Sequence, residues 1–295
     1  MAPQGSLDGP LLQAQSGPML RWFRFFSHWP LWALHLLGWG LGWGVWLFSA
    51  AYRRRLIDNA RQAGLGRLQI ALAIGHAGCM VAELPRVWLG RLPRLRWRAR
   101  QRVQAAMASG QGVIFLTPHL GCFEMTAQAV AHDFSAQYGP LTVLFRPARR
   151  PDMDALMRAS RQRPGLRTAP TTLSGVRQML KALRAGEAVG LLPDQVPPLG
   201  MGVWVPFFGR QAYTMTLAAR LAQQTGARIV LVWGERLSWG RGFLIHTQDL
   251  PQPLPEDLTA AVLQINQAME QIILQCPQQY LWGYHRYRQA REETL

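Results

Sequence analysis

The longest apolar stretch of the chain runs from Trp29 to Ala51, with His35 its one ionisable side chain. As a helix rising 1.5 Å per residue it would reach across a hydrocarbon core of about 30 Å. Tryptophans at 29, 32, 39, 43 and 46 suit a membrane interface, and membrane helices tolerate glycines such as Gly38, Gly40, Gly42 and Gly44 better than soluble helices do. Arg53-Arg54-Arg55 follows at once, so the positive-inside tendency places the remainder of the chain on the cytoplasmic side. Residues 1–17 are rich in Gly, Pro, Gln and Ser without an apolar period and read as a disordered leader. The expected organisation is therefore leader 1–17, membrane anchor with basic flank 18–55, and a catalytic domain over 56–295.

Beyond the anchor, Asn59–Val87 reads as helix and Leu95–Ser109 as a second, arginine-rich helix. Short apolar runs at Gly112–Thr117, Leu141–Phe145, Ala188–Leu192 and Arg228–Trp233 have the length and composition of buried strands. Helical stretches at Cys122–Asp133, Met153–Arg161, Leu173–Ala185 and Met215–Gln224 separate them, and a strand at Gly242–Thr247 and a helix at Leu258–Leu274 follow. Strands alternating with helices predict an α/β fold whose central sheet is mixed but largely parallel and flanked by helices.

Composition sharpens the picture. Hydrophobic residues make up 49% and charged residues only 16% of the 295 residues, against a charged fraction of about 25% in soluble proteins. The 32 Lys+Arg against 16 Asp+Glu give +16, with every cation but Lys181 an arginine. An anionic partner is implied, whether nucleic acid, bilayer surface, phosphorylated substrate or acidic carrier protein. The arginines are spread among apolar strands without a zinc-finger, zipper or RNA-recognition signature, which argues against nucleic acid. Cys79, Cys122 and Cys276 are odd in number and far apart, so neither a disulfide framework nor a metal site is indicated, and His76 with Cys79 supplies only two ligands.

The chemistry concentrates in Gly112-Val-Ile-Phe-Leu-Thr-Pro-His119-Leu-Gly-Cys-Phe-Glu124. A buried strand runs out into Pro118-His119, and a loop after a parallel strand is where α/β folds build active sites. With Gly121 turning the chain, Glu124 falls in the first helical turn and can fold back towards the His119 ring. A carboxylate on one imidazole nitrogen fixes the tautomer while the other takes a proton. A glutamate there is also favourable through the helix dipole alone, and Cys122 is a rival nucleophile.

His119-x-x-x-x-Glu124 after an apolar strand resembles the signature of the late lipid A acyltransferases, the lauroyl/myristoyl branch of the lysophospholipid acyltransferase superfamily. That branch usually has Gly-Asn-Trp between the pair, so Gly121 matches while Cys122 and Phe123 depart. Phe145-Arg146-Pro147, Arg161, Pro193-Asp194-Gln195, Val205-Pro-Phe-Phe-Gly209 and Gln279-Tyr-Leu-Trp282 through Arg286 and Arg288 resemble further family blocks, in order, along nearly the whole chain.

The resemblance implies an enzyme of the bacterial inner membrane, its catalytic domain on the cytoplasmic face, that moves a fatty acyl group from acyl carrier protein to a hydroxyl of a lipid A precursor without cofactor or metal. His119 would be the general base, held by Glu124, with backbone amides at the Gly121 turn stabilising the oxyanion. Arg146, Arg149, Arg161, Asp194 and Gln195 would serve the phosphorylated acceptor, Asp194 orienting Arg161 or Arg146. A glycerophospholipid or aminolipid acceptor is the nearer alternative, and a non-enzymatic basic protein binding membrane or nucleic acid the more distant one.

Overall fold

The computed structural model describes residues 18–145, 154, 157, 163–251 and 253–290. The leader, and the expected helix Met153–Arg161 save for two of its positions, lie outside the described residues.

The first half of the chain is helical, and local chemistry marks its breaks. α1 (Pro18–Ser27) leads into α2 (Leu31–Phe48) through Pro30. Ser49 then ends the apolar run: its hydroxyl accepts from the Tyr52 amide at 3.4 Å and starts α3 (Ala50–Gln62). The expected single helix Asn59–Val87 is divided, because Gly64 takes a left-handed φ of +83° before α4 (Arg67–Ala82) and α5 (Leu84–Leu89) begin.

The next expectation needs correcting. Leu95–Ser109 is not one helix: Leu95–Arg98 is a strand, β1, and only Arg100–Ala108 is helical, α6, with Ala99 left-handed between them. The Leu-Arg-Trp-Arg order alternates half-buried Leu95 and Trp97 with exposed Arg96 and Arg98, the period of a strand rather than a helix. Arg102 is not a free surface cation either, since its Nε meets Asp249 at 2.7 Å and its guanidinium donates to the Thr247 carbonyl.

The remaining elements are β2 (Val113–Leu116), α7 (Phe123–Tyr138), β3 (Leu141–Phe145), β4 (Leu166–Pro170), α8 (Leu173–Arg184), β5 (Ala188–Leu191), the hairpin β6 (Gly202–Phe207) and β7 (Arg210–Met215), α9 (Leu217–Thr225), β8 (Arg228–Arg236), β9 (Phe243–Asp249) and α10 (Leu258–Gln275). Nine strands are described: seven form one sheet in the order β1-β9-β8-β2-β5-β3-β4, parallel except where β9 runs against β8, and β6 and β7 pair apart from it. This is the mixed, largely parallel sheet expected. Its central strands are apolar on both faces because helices cover both, as the uninterrupted burial of Val113–Leu116 records. One buried cluster joins Leu116, Leu191 and Leu231 to α10; the other joins Phe115, Val130 and Val232 to α7.

Two helices, Leu31–Phe48 and the almost continuous Arg67–Leu89, are long and apolar enough to cross a membrane. They pack on each other along a glycine seam. A Cβ on Gly78 would land on the Gly38 carbonyl and the Gly42 amide, and a Cβ on Gly42 would land on the Ile74 carbonyl. Gly40 and Gly44, in the same helix, face open space. We therefore expect Gly78→Ala to destabilise the protein by about 1–3 kcal/mol through overpacking. Gly40→Ala should be neutral or stabilising by up to about 1 kcal/mol. Thermal unfolding in detergent would compare the two; equal effects would refute the seam as the reason for the glycines.

Candidate active site

Two neighbouring strands bring the site together. β2 and β5 pair in parallel with Leu116 opposite Leu191. His119 lies three residues beyond Leu116 and Asp194 three beyond Leu191, so equal run-outs from two registered strand ends place the two side chains face to face. His119 Nδ1 is 2.8 Å from Asp194 Oδ1, and the His119 backbone N–H donates to Asp194 Oδ2 at 2.9 Å. Both oxygens of the carboxylate are thus spent on one residue, and only 2% of the Asp194 side chain is exposed, against 14% for His119. Burial alone would push the Asp194 carboxyl up, but the neighbouring His119 with its hydrogen bonds, and the more distant Arg286, hold it below the usual carboxylate range.

The tautomer follows from these contacts. The Nδ1–H donates to the Asp194 carboxylate, so Nε2 carries the lone pair, and the Gln195 amide nitrogen sits 3.0 Å from it. Phe123 packs against the ring with centroids 4.7 Å apart.

This arrangement corrects two expectations. The carboxylate that holds the His119 ring is Asp194 rather than Glu124, because both ring nitrogens are already engaged, by Asp194 and Gln195. Asp194 and Gln195, expected to serve the acceptor, are in this structure the partners of the imidazole. The role given to the Gly121 turn also changes. Gly121 has φ +58°, and a Cβ there would strike the Gly234 carbonyl, so the glycine is required for close approach. Its N–H donates to the Gln279 carbonyl at 2.9 Å and the Cys122 N–H to the Gly234 carbonyl at 2.8 Å, so neither amide is available for an oxyanion.

Glu124 stands in the first turn of α7, as the sequence placed it. With Thr117 and Phe123 it lines the mouth of a narrow, mostly apolar slot of ≈ 70 Å³ that continues between α7 and the sheet past Ala127, Val143 and Val232. Arg146, Arg149 and Arg161 lie outside the described residues. The rival nucleophile, Cys122, is 2% exposed, and burial and the nearby Glu83 push its thiol well above the ordinary range, which leaves no thiolate to react.

The C-terminal block closes the site from behind. Leu120 bridges to Tyr280, the Leu281 N–H donates to the His119 carbonyl at 3.1 Å, and the Trp282 indole donates to the Pro277 carbonyl at 2.7 Å. Arg286 is buried and donates to the Tyr213 carbonyl and the Thr214 hydroxyl. The Phe207-Phe208-Gly209 block turns the β6–β7 hairpin: Phe208 packs on Trp282, and its N–H donates to Glu270 of α10 at 2.7 Å, so its work is packing.

Beneath the turn lies a set of residues that no sequence motif disclosed. Arg236, at the end of β8, pairs with both oxygens of Glu83 at 2.7 and 2.6 Å and reaches the Gly121 carbonyl at 3.2 Å. Gln279 accepts from the Arg236 backbone N–H at 2.8 Å and donates to its carbonyl at 3.0 Å. His35 from α2 adds a 3.3 Å contact to Glu83.

Replacing Asp194 by Asn should lower stability at neutral pH by about 1–3 kcal/mol, since it removes a charge that two hydrogen bonds from His119 favour. A carboxyl held below its unfolded value contributes stability above that value and loses it as pH falls through the folded one. The gap in unfolding midpoint between the native chain and Asp194→Asn should therefore be constant above about pH 3.9 and close as pH falls from there through the lower folded value. A gap that persists unchanged well below that pH would contradict the assignment.

A family model described as bacterial lipid A biosynthesis acyltransferase matches residues 76–289. The lipid A biosynthesis lauroyltransferase of Escherichia coli (strain K12) is 26% identical over 244 residues, 81% of this chain and 74% of the relative. The palmitoleoyltransferase of the same organism is 23% identical over 246 residues, with the same coverage of both chains. A lipid A biosynthesis acyltransferase of Haemophilus influenzae is 25% identical over 182 residues, 62% of this chain and 55% of the relative. The matched region begins within α4 and holds the whole sheet together with His119, Asp194 and the C-terminal block; with well over half of its length so matched, the chain belongs to the bacterial lipid A biosynthesis acyltransferases.

Proposed function

We propose that this acyltransferase carries a fatty acyl group from the thioester of an acyl carrier protein to a hydroxyl of a phosphorylated lipid A precursor, at the cytoplasmic face of the inner membrane. The observation that carries the reading is the Asp194–His119 pair at the carboxyl ends of β5 and β2, which leaves Nε2 as a base on a ring packed against Phe123, and Phe123 lines the apolar slot.

The acceptor hydroxyl displaces the Gln195 amide from Nε2 and gives up its proton there as its oxygen attacks the thioester carbonyl. Asp194 stabilises the imidazolium so formed. Collapse of the tetrahedral adduct expels the thiolate, which takes the proton from Nε2, so ester and free carrier thiol leave a neutral imidazole behind. General-base help of this kind contributes about 10²–10⁴ in rate. With Gly121 and Cys122 committed and the Met125 N–H given to the Cys122 carbonyl at 3.0 Å, the oxyanion is assigned to the Phe123 amide at the start of α7, which has no carbonyl four residues earlier within the helix. Glu124, beside the slot, is assigned to the substrate rather than the imidazole. The narrow slot suits a polymethylene chain, and Arg146, Arg149 and Arg161 are assigned to the acceptor's phosphates, for which a guanidinium fork is suited. Related enzymes of this family are named for lauroyl, palmitoleoyl and myristoyl transfer. No resident metal or cofactor takes part in this scheme.

Purified protein assayed with acyl carrier protein thioester and lipid A precursor tests the reading. His119→Ala and Asp194→Asn should each lower kcat by about 10²–10⁴ with the fold intact by circular dichroism, whereas Cys122→Ser should keep most of its activity. Glu124→Ala should lose activity as well, but with a larger share of the loss in KM for the substrate. A folded Cys122→Ser that is inactive, or an acyl group trapped on Cys122, would overturn the direct-transfer scheme. Indifference to the carrier protein or to the acceptor's phosphates would overturn the substrate assignment.

A further inference from the structure

α2 is apolar around its whole circumference, yet only one side of it meets protein. Its inward side carries the glycine seam and His35. Its outward side presents Trp32, Leu36, Leu37, Leu41, Val45 and Phe48, the last 92% exposed. The surface does not stop at the helix. α1 packs Phe23 against Trp88 of α5 and turns Trp22 and Phe25 outward. The turn between β8 and β9, Ser238–Gly240, abuts the start of α2 so closely that a Cβ on Gly240 would strike the Trp32 backbone. At the tip of that turn Trp239 is 84% exposed and held at φ +59°, a conformation costly for a bulky side chain.

The charge around this surface has one sign. Residues 18–57 and 237–248 contain no Asp or Glu, while Arg21, Arg24 and Arg241 are exposed among the aromatic rings. Tryptophan with arginine, continuous with a strip of aliphatic side chains, is the composition of an interface with anionic lipid headgroups.

Both ends of α2 are fastened to the same globular body. Leu31 lies in the cluster with Phe115 and Val232. At the other end Trp43 and Trp46 pack against the second cluster, and Asn59 of α3 donates to the carbonyls of Trp282 and Tyr284 at 2.8 and 3.0 Å. A helix that crossed a bilayer would put its ends, about 27 Å apart, on opposite sides. Here both ends, and α4 along its length, belong to one face of the catalytic domain. Trp239 follows the carboxyl end of β8, and β8 runs parallel to β2, so the surface lies at the end of the sheet that carries His119.

We propose that the chain sits in a single leaflet of an anionic bilayer, docked by one continuous surface of α1, the outward side of α2 and the Trp239 turn, with no helix crossing. Trp239 is a second lipid contact, separate in sequence from the N-terminal helices, that fixes the membrane plane at the catalytic end. The proposal rests on the acyltransferase reading only in taking its acceptor from that leaflet.

The test uses the full chain and vesicles of phosphatidylcholine and phosphatidylglycerol. Trp239→Cys and Phe48→Cys, each labelled with bimane, exploit the burial of the three native thiols. Both labels should shift to the blue on vesicles and be quenched by bromines placed shallow in the outer leaflet. Trp239→Gly, which eases the left-handed backbone while removing the ring, should weaken vesicle partitioning by about tenfold and leave turnover on detergent-dispersed acceptor unchanged. His119→Ala should dock as the native chain does, so loss of chemistry and loss of docking are separable. The proposal fails if the two labels prove accessible from opposite sides of a proteoliposome, or if Trp239→Gly partitions normally. It also fails if the labels are already buried in lipid-free protein that has dimerised, in which case the surface belongs to a second copy.

Discussion

The buried ion pair between Arg236 and Glu83 is the joint on which the catalytic end of the molecule depends. An isolated charge at either position would be costly, since Glu83 is fully buried and Arg236 nearly so, and removing one partner of such a pair typically costs about 3–5 kcal/mol. What the pair gains is position. One guanidinium ties the junction of α4 and α5, the end of β8 and the carbonyl of Gly121, while Gln279 satisfies the backbone of Arg236 and gives its own carbonyl to the Gly121 amide. The turn that aims His119 is therefore fixed by three segments distant in sequence. Glycine at 121 is the residue that lets the strand end approach Gly234 closely enough for this to happen.

Much of this was legible in the sequence, for a definable reason. The central strands are covered on both faces, so β2, β3, β5 and β8 are uninterrupted apolar runs that stand out against amphipathic helices, and Leu141–Phe145 coincides with its expected bounds. Edge and hairpin strands were obscured. β1 alternates arginine with Leu and Trp, a pattern a basic helix shares; β4 and β7 carry Arg and Thr and make no apolar run, and in β6 Val203-Trp204-Val205 is cut short by Pro206.

The site was legible in its residues more than in its pairings. His119, Glu124, Asp194 and Gln195 all follow strand ends or open a helix, as apolar-to-polar transitions suggest. That Asp194 rather than Glu124 meets the imidazole depends on β2 and β5 being neighbours in register, and strand order is not written in any local pattern. The equal three-residue run-outs from Leu116 and Leu191 are the one signal that could have suggested it. Arg236 and Glu83 gave none, because a lone arginine after a strand and a lone glutamate between helices look like solvated charges until the fold buries them.

The Gln195 amide on Nε2 makes the resting imidazole a capped base. Water is a nucleophile at a molarity no lipid acceptor approaches, and an open imidazole beside a bound thioester would activate it. Because the lone pair is already occupied by a side chain from the neighbouring strand end, any entering hydroxyl must replace a hydrogen bond of comparable strength. A lipid acceptor held by many other contacts meets that cost readily, and a single water molecule has little else to offset it. Thrift with the activated acyl group is in this sense a property of one side-chain amide, set by a glutamine adjacent to the aspartate that orients the histidine.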